Sequence, residues 1–246
     1  MLFELEDVRY DYGDGSCGLA NISGQIEAGA RLAILGANGS GKSTLLRILN
    51  GLIEPTSGAL WFRGERLSEN ALQQASLQRS FRQRVGFVFQ DADAQLFNGT
   101  VWDEIAFGPI QLGLDQAEVH LRTRDVLSFL GIEHLSEKPP FRLSGGEKRK
   151  VAIGSVLAMN PEVLLLDEPI LGLDPRSQRW LIETLNRLQE AGKTTVVATH
   201  SLGTLTQIAD TAWILGEDHS LIGRMSAAEA LRSPELLEFA NLEVLP

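Results

Sequence analysis

Apolar residues recur in short alternating or continuous runs at the start of the chain, Leu2 to Tyr10 and Arg31 to Leu35, with Gly- and Asp-rich turns between them. This predicts a strand-rich opening. A helical pattern follows from Lys42 to Asn50 and stops at Gly51. Ala59 to Phe62 reads as another strand, and RVGFVF (84–89) as a buried one. Between Thr100 and Leu157 the period becomes helical: VWDEIAF, then QAEVHLRTRDVLSFL ending at Gly131, then a helix beginning after Ser144. From Val163 strand and helix alternate again through VLLLD, Gln178 to Glu190, TTVVAT and Thr211 to Leu215, the order expected of parallel β-α-β units. Two short amphipathic pieces follow Ser226. The expectation is an α/β chain with one domain over 1–225, a helical part at roughly 91–158, and a short helical tail at 226–246.

Composition narrows the classes. The 246 residues are 43% hydrophobic and 22% charged, ordinary for a globular protein. A net charge of -10 argues against a nucleic-acid partner, whose phosphates need clustered Lys and Arg. The single cysteine, Cys17, excludes an internal disulfide and points to a reducing compartment. MLFELEDVRYDYGDG lacks the basic start and apolar core of a signal peptide, and no apolar run approaches the ~20 residues that span a bilayer. A membrane role is therefore expected to need a partner.

Residues 36–44, GANGSGKST, match G-x-x-x-x-G-K-[ST] and lie between the apolar run RLAIL and the helix predicted from Lys42. Gly36, Gly39 and Gly41 let the backbone curl so that successive N–H groups face phosphate oxygens, with a helix N-terminus adding positive potential. Lys42 brings a mobile charge and Ser43 a hydroxyl for Mg²⁺. Asn38, Ser40 and Thr44 complete the candidate nucleotide loop.

VLLLDE (163–168) is an apolar strand ending in two carboxylates, at the edge of an open sheet where ligands bind. Asp167 is the candidate to help hold Mg²⁺, and Glu168 the candidate general base for water. The bland reading is a pair of helix-capping acids before Pro169; the phosphate loop outweighs it.

LSGGEKR (143–149) resembles the signature sequence of ABC ATPases. Ser144 with the N–H groups of Gly145 and Gly146 at a helix start makes a second anion site. The resemblance implies a P-loop core with an N-terminal antiparallel β part and a helical part, and two such domains packed head to tail, each ATP between one phosphate loop and the other's signature. It further implies that Gln90 contacts Mg²⁺ or the attacking water, that Asp174 crosses the dimer interface, that His200 holds the γ-phosphate, and that Tyr12 stacks on adenine, with Tyr10 close enough to compete. Glu147 stands where Gln is commoner.

The stretch FQDADAQLFNGTVWDEIAFGPIQLGL (89–114), with a second glutamine at Gln95, is similar to energy-coupling-factor and cobalt/nickel-type importer ATPases. That similarity implies an ATP-hydrolysing subunit peripheral to the cytoplasmic face of a membrane, working with a second ATPase subunit and with integral membrane subunits. Leu96, Phe97, Val101 and Phe107 are candidates to line the groove that receives those subunits. The alternative is a soluble, non-transport ABC ATPase such as an iron-sulfur assembly type.

Overall fold

The computed structural model describes residues 1–68 and 75–242. Strand β1 (Phe3–Asp11) pairs antiparallel with β2 (Cys17–Ile26) on one side and β4 (Ser57–Phe62) on the other, and β5 (Glu65–Leu67) extends the sheet to the order β2-β1-β4-β5. Phe3 and Leu5 face inward while Glu6 and Asp7 face water. The register then slips where Asp7 takes φ 46°, which returns Val8 to the buried side.

The larger sheet has the order β10-β9-β3-β8-β7-β6. Strands β3 (Arg31–Leu35), β6 (Val85–Val88), β7 (Val163–Asp167), β8 (Thr194–Thr199) and β9 (Thr211–Leu215) run parallel, and β10 (Leu221–Ser226) closes one edge antiparallel. Every residue of β3, β6, β7 and β8 is buried, as strands covered on both faces must be. Alternate residues serve different cores. Leu32, Ile34, Leu165 and Val196 pack with Leu45 and Ile48 of helix α1 (Lys42–Leu49) and with the antiparallel sheet. Leu35, Leu164, Leu166 and Val197 pack with Leu181, Leu185 and Leu188 of another helix, α6 (Pro175–Glu190).

Helix α2 (Ala75–Arg84) precedes β6. Helices α3 (Val101–Gln111), α4 (Gln116–Leu130) and α5 (Gly145–Leu157) pack on one another through Ile105, Leu127, Leu130 and Val151. The short α7 (Leu205–Ile208) precedes β9; α8 (Ala227–Ala230) and α9 (Pro234–Phe239) follow β10, and Ala227, Ala230 and Leu237 enter the core under α6. Among the described residues no helix is long and apolar enough to cross a membrane.

Three local readings change. Strand β2 escapes the pattern of apolar runs because Gly18, Asn21 and Gly24 interrupt it, although its partner β1 is legible. Helix α6 starts at Pro175 and not at Gln178, because the Asp174 carboxylate caps it by accepting from the N–H groups of Arg176 and Ser177 and Pro175 needs no donor there. Val101 is fully buried in the helical core and cannot line a surface groove, since the Thr100 cap turns it inward at the first position of α3.

Candidate active site

The C-terminal ends of β3, β7 and β8, with β8 lying between the other two, deliver the phosphate loop, Asp167–Glu168 and His200 to one edge of the large sheet. A cavity of about 470 Å³ opens there. Tyr12, Asn38, Gly39, Gly41, Lys42, Ser43, Thr44, Gln90, Glu168 and His200 all line it. Gly41 has φ 101°, and a Cβ on it would strike the carbonyl oxygen of Gly18, so the turn into α1 admits no side chain.

Lys42 is buried. Its ammonium donates to the carbonyl oxygens of Gly36 at 2.8 Å and Ala37 at 2.9 Å and lies 3.6 Å from Glu168 Oε1. Burial lowers its pKa, against the opposing pull of Glu168 and Asp167. The Ser43 hydroxyl donates to Asp167 Oδ1 at 2.9 Å. Asp167 has its pKa raised, chiefly by burial, with the Ser43 hydrogen bond acting the other way. This hydroxyl–carboxylate pair beside the phosphate loop is a hard-oxygen set of the kind Mg²⁺ takes together with waters and substrate phosphates, so the residues fit that ion.

Glu168 sits just past the end of β7 with φ 43°, unusual for a residue with a side chain. Its N–H donates to the Ala198 carbonyl at 2.9 Å, and its Oε1 lies 2.9 Å from His200 Nδ1. The backbone of Glu168 is thus tied to β8, and its carboxylate is held by His200 and Lys42.

Tyr12, and not Tyr10, lines the cavity; its hydroxyl is 2.7 Å from Thr44 Oγ1, and Tyr10 packs edge-on against its ring at 5.1 Å. Two loop residues lie behind the wall. The Ser40 side chain is buried against Gly36, and a Cβ on Gly36 would come within 2.9 Å of the Leu215 carbonyl oxygen. Ser40 can thus offer the cavity no hydroxyl. Cys17, Gly18, Arg47, Leu171 and His219 also line the cavity. Arg47 was legible in principle, one helical turn beyond Ser43 on the same face of α1. His219, in the turn joining β9 and β10, carried no signal.

Ser144, Gly145, Gly146, Glu147 and Asp174 are absent from the cavity wall. Ser144 and Gly145 are exposed at the N-terminus of α5. Ser144 and Glu147 form a capping box, with the Glu147 carboxylate accepting from the Ser144 N–H at 2.8 Å and from its hydroxyl at 2.7 Å. The Ser144 hydrogen bonds lower the pKa of Glu147. A Cβ on Gly146 would lie 2.5 Å from Ser177 Oγ, so the start of α5 packs directly against the start of α6, where Asp174 is exposed.

The family model described as ABC transporter matches residues 19–171. The nickel import ATP-binding protein LarO of Lactiplantibacillus plantarum is 42% identical, covering 95% of this chain and 96% of its own length. The energy-coupling factor transporter ATP-binding protein EcfA of Methanoculleus marisnigri is 42% identical over 100% of this chain and 86% of its own. Among solved structures, cbiO1 from Clostridium perfringens, part of the ABC transporter complex cbiONQ, superposes with a TM-score of 0.84 at 35% identity, over 98% of this chain and 94% of its own. A dimeric ATP-binding cassette in a post-hydrolysis state bound to ADP and Pi gives 0.82 at 28% identity, over 92% and 99%. The chain belongs to the ABC transporter family as one of its ATP-binding proteins.

Proposed function

We propose that this protein is the ATP-hydrolysing motor of a membrane importer. The observation that carries the reading is the convergence of Lys42, Ser43, Glu168 and His200 on one cavity whose mouth holds Tyr12. Residues 1–225 form the cassette, roughly 91–158 its helical part, and 226–246 a tail. ATP places its adenine against Tyr12 and its phosphates on the N–H groups of the loop, and Lys42 leaves the Gly36 and Ala37 carbonyls for the phosphate oxygens. Ser43, Asp167 and Gln90 are the residues that would hold Mg²⁺, and the ion would supply positive charge beside the phosphates. Water attacks the γ-phosphorus as the bond to the β-phosphate oxygen breaks, and the Glu168 carboxylate accepts the water's proton. His200 keeps that carboxylate in line and reaches the γ-phosphate.

Ser144, Gly145 and Gly146 do not line the chain's own cavity, which supports their serving a nucleotide held by a second ATPase subunit packed head to tail, with Asp174 near the crossing point. Glu147 caps Ser144 and tunes that site. Phe97 and Phe107, 67% and 38% exposed and stacked edge-on at 5.0 Å, offer an aromatic face for integral membrane subunits at the cytoplasmic side. Leu96 packs partly into the helical core behind them. A transition metal such as nickel or cobalt is the proposed cargo class, LarO being a nickel import ATP-binding protein. Coexpression with candidate membrane subunits, detergent purification and metal uptake into proteoliposomes test the proposal. A chain that hydrolyses ATP yet retains no membrane protein and drives no uptake overturns the importer reading.

A further inference from the structure

Strand β6 ends its ladder with β7 at Val88, so the backbone groups of Phe89 and Gln90 lie beyond the sheet. Side chains of α5, and one that α5 holds, satisfy them instead. The Arg149 guanidinium, 6% exposed, donates to the carbonyl oxygens of Phe89 at 2.7 Å and Gln90 at 2.6 Å. The Phe89 N–H donates to Gln95 Oε1 at 3.1 Å, while Gln95 Nε2 donates to the Ala152 carbonyl at 2.8 Å and to Ser155 Oγ at 3.2 Å. An exposed pair, Lys148 to Asp93 at 2.6 Å, spans the same gap. Gln95 needs both an acceptor and a donor in this place, which a carboxylate or an apolar side chain does not provide.

Neither Arg149 nor Gln95 lines the nucleotide cavity. Yet Gln90, whose backbone Arg149 holds directly and Gln95 holds through the neighbouring Phe89, does line it, and α5, to which they hold it, begins with the exposed Ser144 and Gly145. We infer that Gln95 and Arg149 are positioning residues forming a clasp that makes Gln90, in the chain's own site, and the signature face, in its partner's site, travel as one body. The clasp thereby keeps the two composite sites in step: a subunit cannot bring its signature to the partner's nucleotide without moving its own Gln90. This rests on the ATP-hydrolysing dimer proposed above.

The test uses the full-length protein with MgATP. Gln95→Leu and Gln95→Glu should each lower kcat at least tenfold while leaving the KM for ATP within about twofold, because the phosphate loop is untouched. In a Glu168→Gln background the same substitutions should abolish the ATP-dependent dimer seen by size exclusion. Arg149→Met should behave alike, and Arg149→Lys, which keeps a donor to the carbonyls, should recover most of the lost turnover. Should Arg149→Met fail to fold, the half-buried Gln95 carries the test. Unchanged kcat with an unchanged dimer overturns the clasp, as does a fall in kcat matched by the fall in folded fraction. A wild-type chain that hydrolyses no ATP instead removes the reading beneath, and the dimer measurement still decides the clasp.

Discussion

Replacing Glu168 by Gln removes one charge from a site where two groups, Lys42 and His200, depend on it. Lys42 and Glu168 are 5% and 7% exposed and 3.6 Å apart, and His200 Nδ1 is 2.9 Å from the same oxygen. Breaking a buried pair by removing one partner costs about 3–5 kcal/mol. Lys42 keeps its two carbonyl acceptors and the neighbouring Asp167, so the lower end, about 3 kcal/mol, applies to the nucleotide-free variant. In a domain of this size that corresponds to a Tm lower by roughly 6–12 °C. ATP should reverse most of the loss, since its phosphates return negative charge to Lys42. Turnover does not recover: loss of a general base costs about 10²- to 10⁴-fold. Thermal melts with and without ATP, alongside single-turnover phosphate release, read both effects. A melt unchanged in the absence of nucleotide would refute the ion-pair argument, and turnover within threefold of wild type would refute the base.

Tyr12→Ala should raise the KM for ATP by about 5- to 150-fold, the worth of one base–aromatic stack at ~1–3 kcal/mol. Tyr12→Phe and Tyr10→Leu should leave it nearly unchanged, so fluorescent-nucleotide titration of all three separates stacking from the Thr44 hydrogen bond. Phe97→Ser with Phe107→Ser should abolish copurification with membrane subunits while ATP hydrolysis by the isolated chain persists; an intact complex places the docking face elsewhere. Burial holds the Lys42 pKa below that of the unfolded chain, so across that window the unfolded state carries the extra proton and nucleotide-free stability rises with pH. Denaturant melts at stepped alkaline pH should show this rise, and Lys42→Met should flatten it.

The legible parts of the fold are those where pattern and environment agree. A strand buried on both faces reads as a plain apolar run, which is why RLAIL, VLLLD and TTVVAT coincide with β3, β7 and β8. Strand β2 does not show as such a run, because its place is set by pairing with β1 and its own sequence carries two glycines and an asparagine. The phosphate loop was legible because its chemistry is local. Cys17, the first residue of β2, and His219, in the turn after β9, reach the same cavity, and nothing in their own segments marks them. Val101 failed for a different reason: an apolar residue beside a helix cap looks the same in sequence whether the cap turns it outward or in.

The second anion site shows where local and global information separate. LSGGEKR marks a helix start with unshielded N–H groups, yet in the single chain the Glu147 carboxylate already engages the Ser144 N–H and hydroxyl. In the head-to-tail dimer proposed above, a nucleotide phosphate presented by the second subunit would meet that negative charge in the first turn of α5, where Glu147 competes for the Ser144 hydroxyl. Glu147→Gln keeps the amide oxygen that accepts from Ser144 and removes the charge. It should therefore increase the ATP-dependent dimer of a Glu168→Gln protein without altering nucleotide affinity of the isolated chain, as size exclusion at graded ATP concentrations would show. An unaltered dimer yield would mean that the incoming phosphate is held by the Gly145 and Gly146 N–H groups alone, with the Ser144 hydroxyl left to its cap.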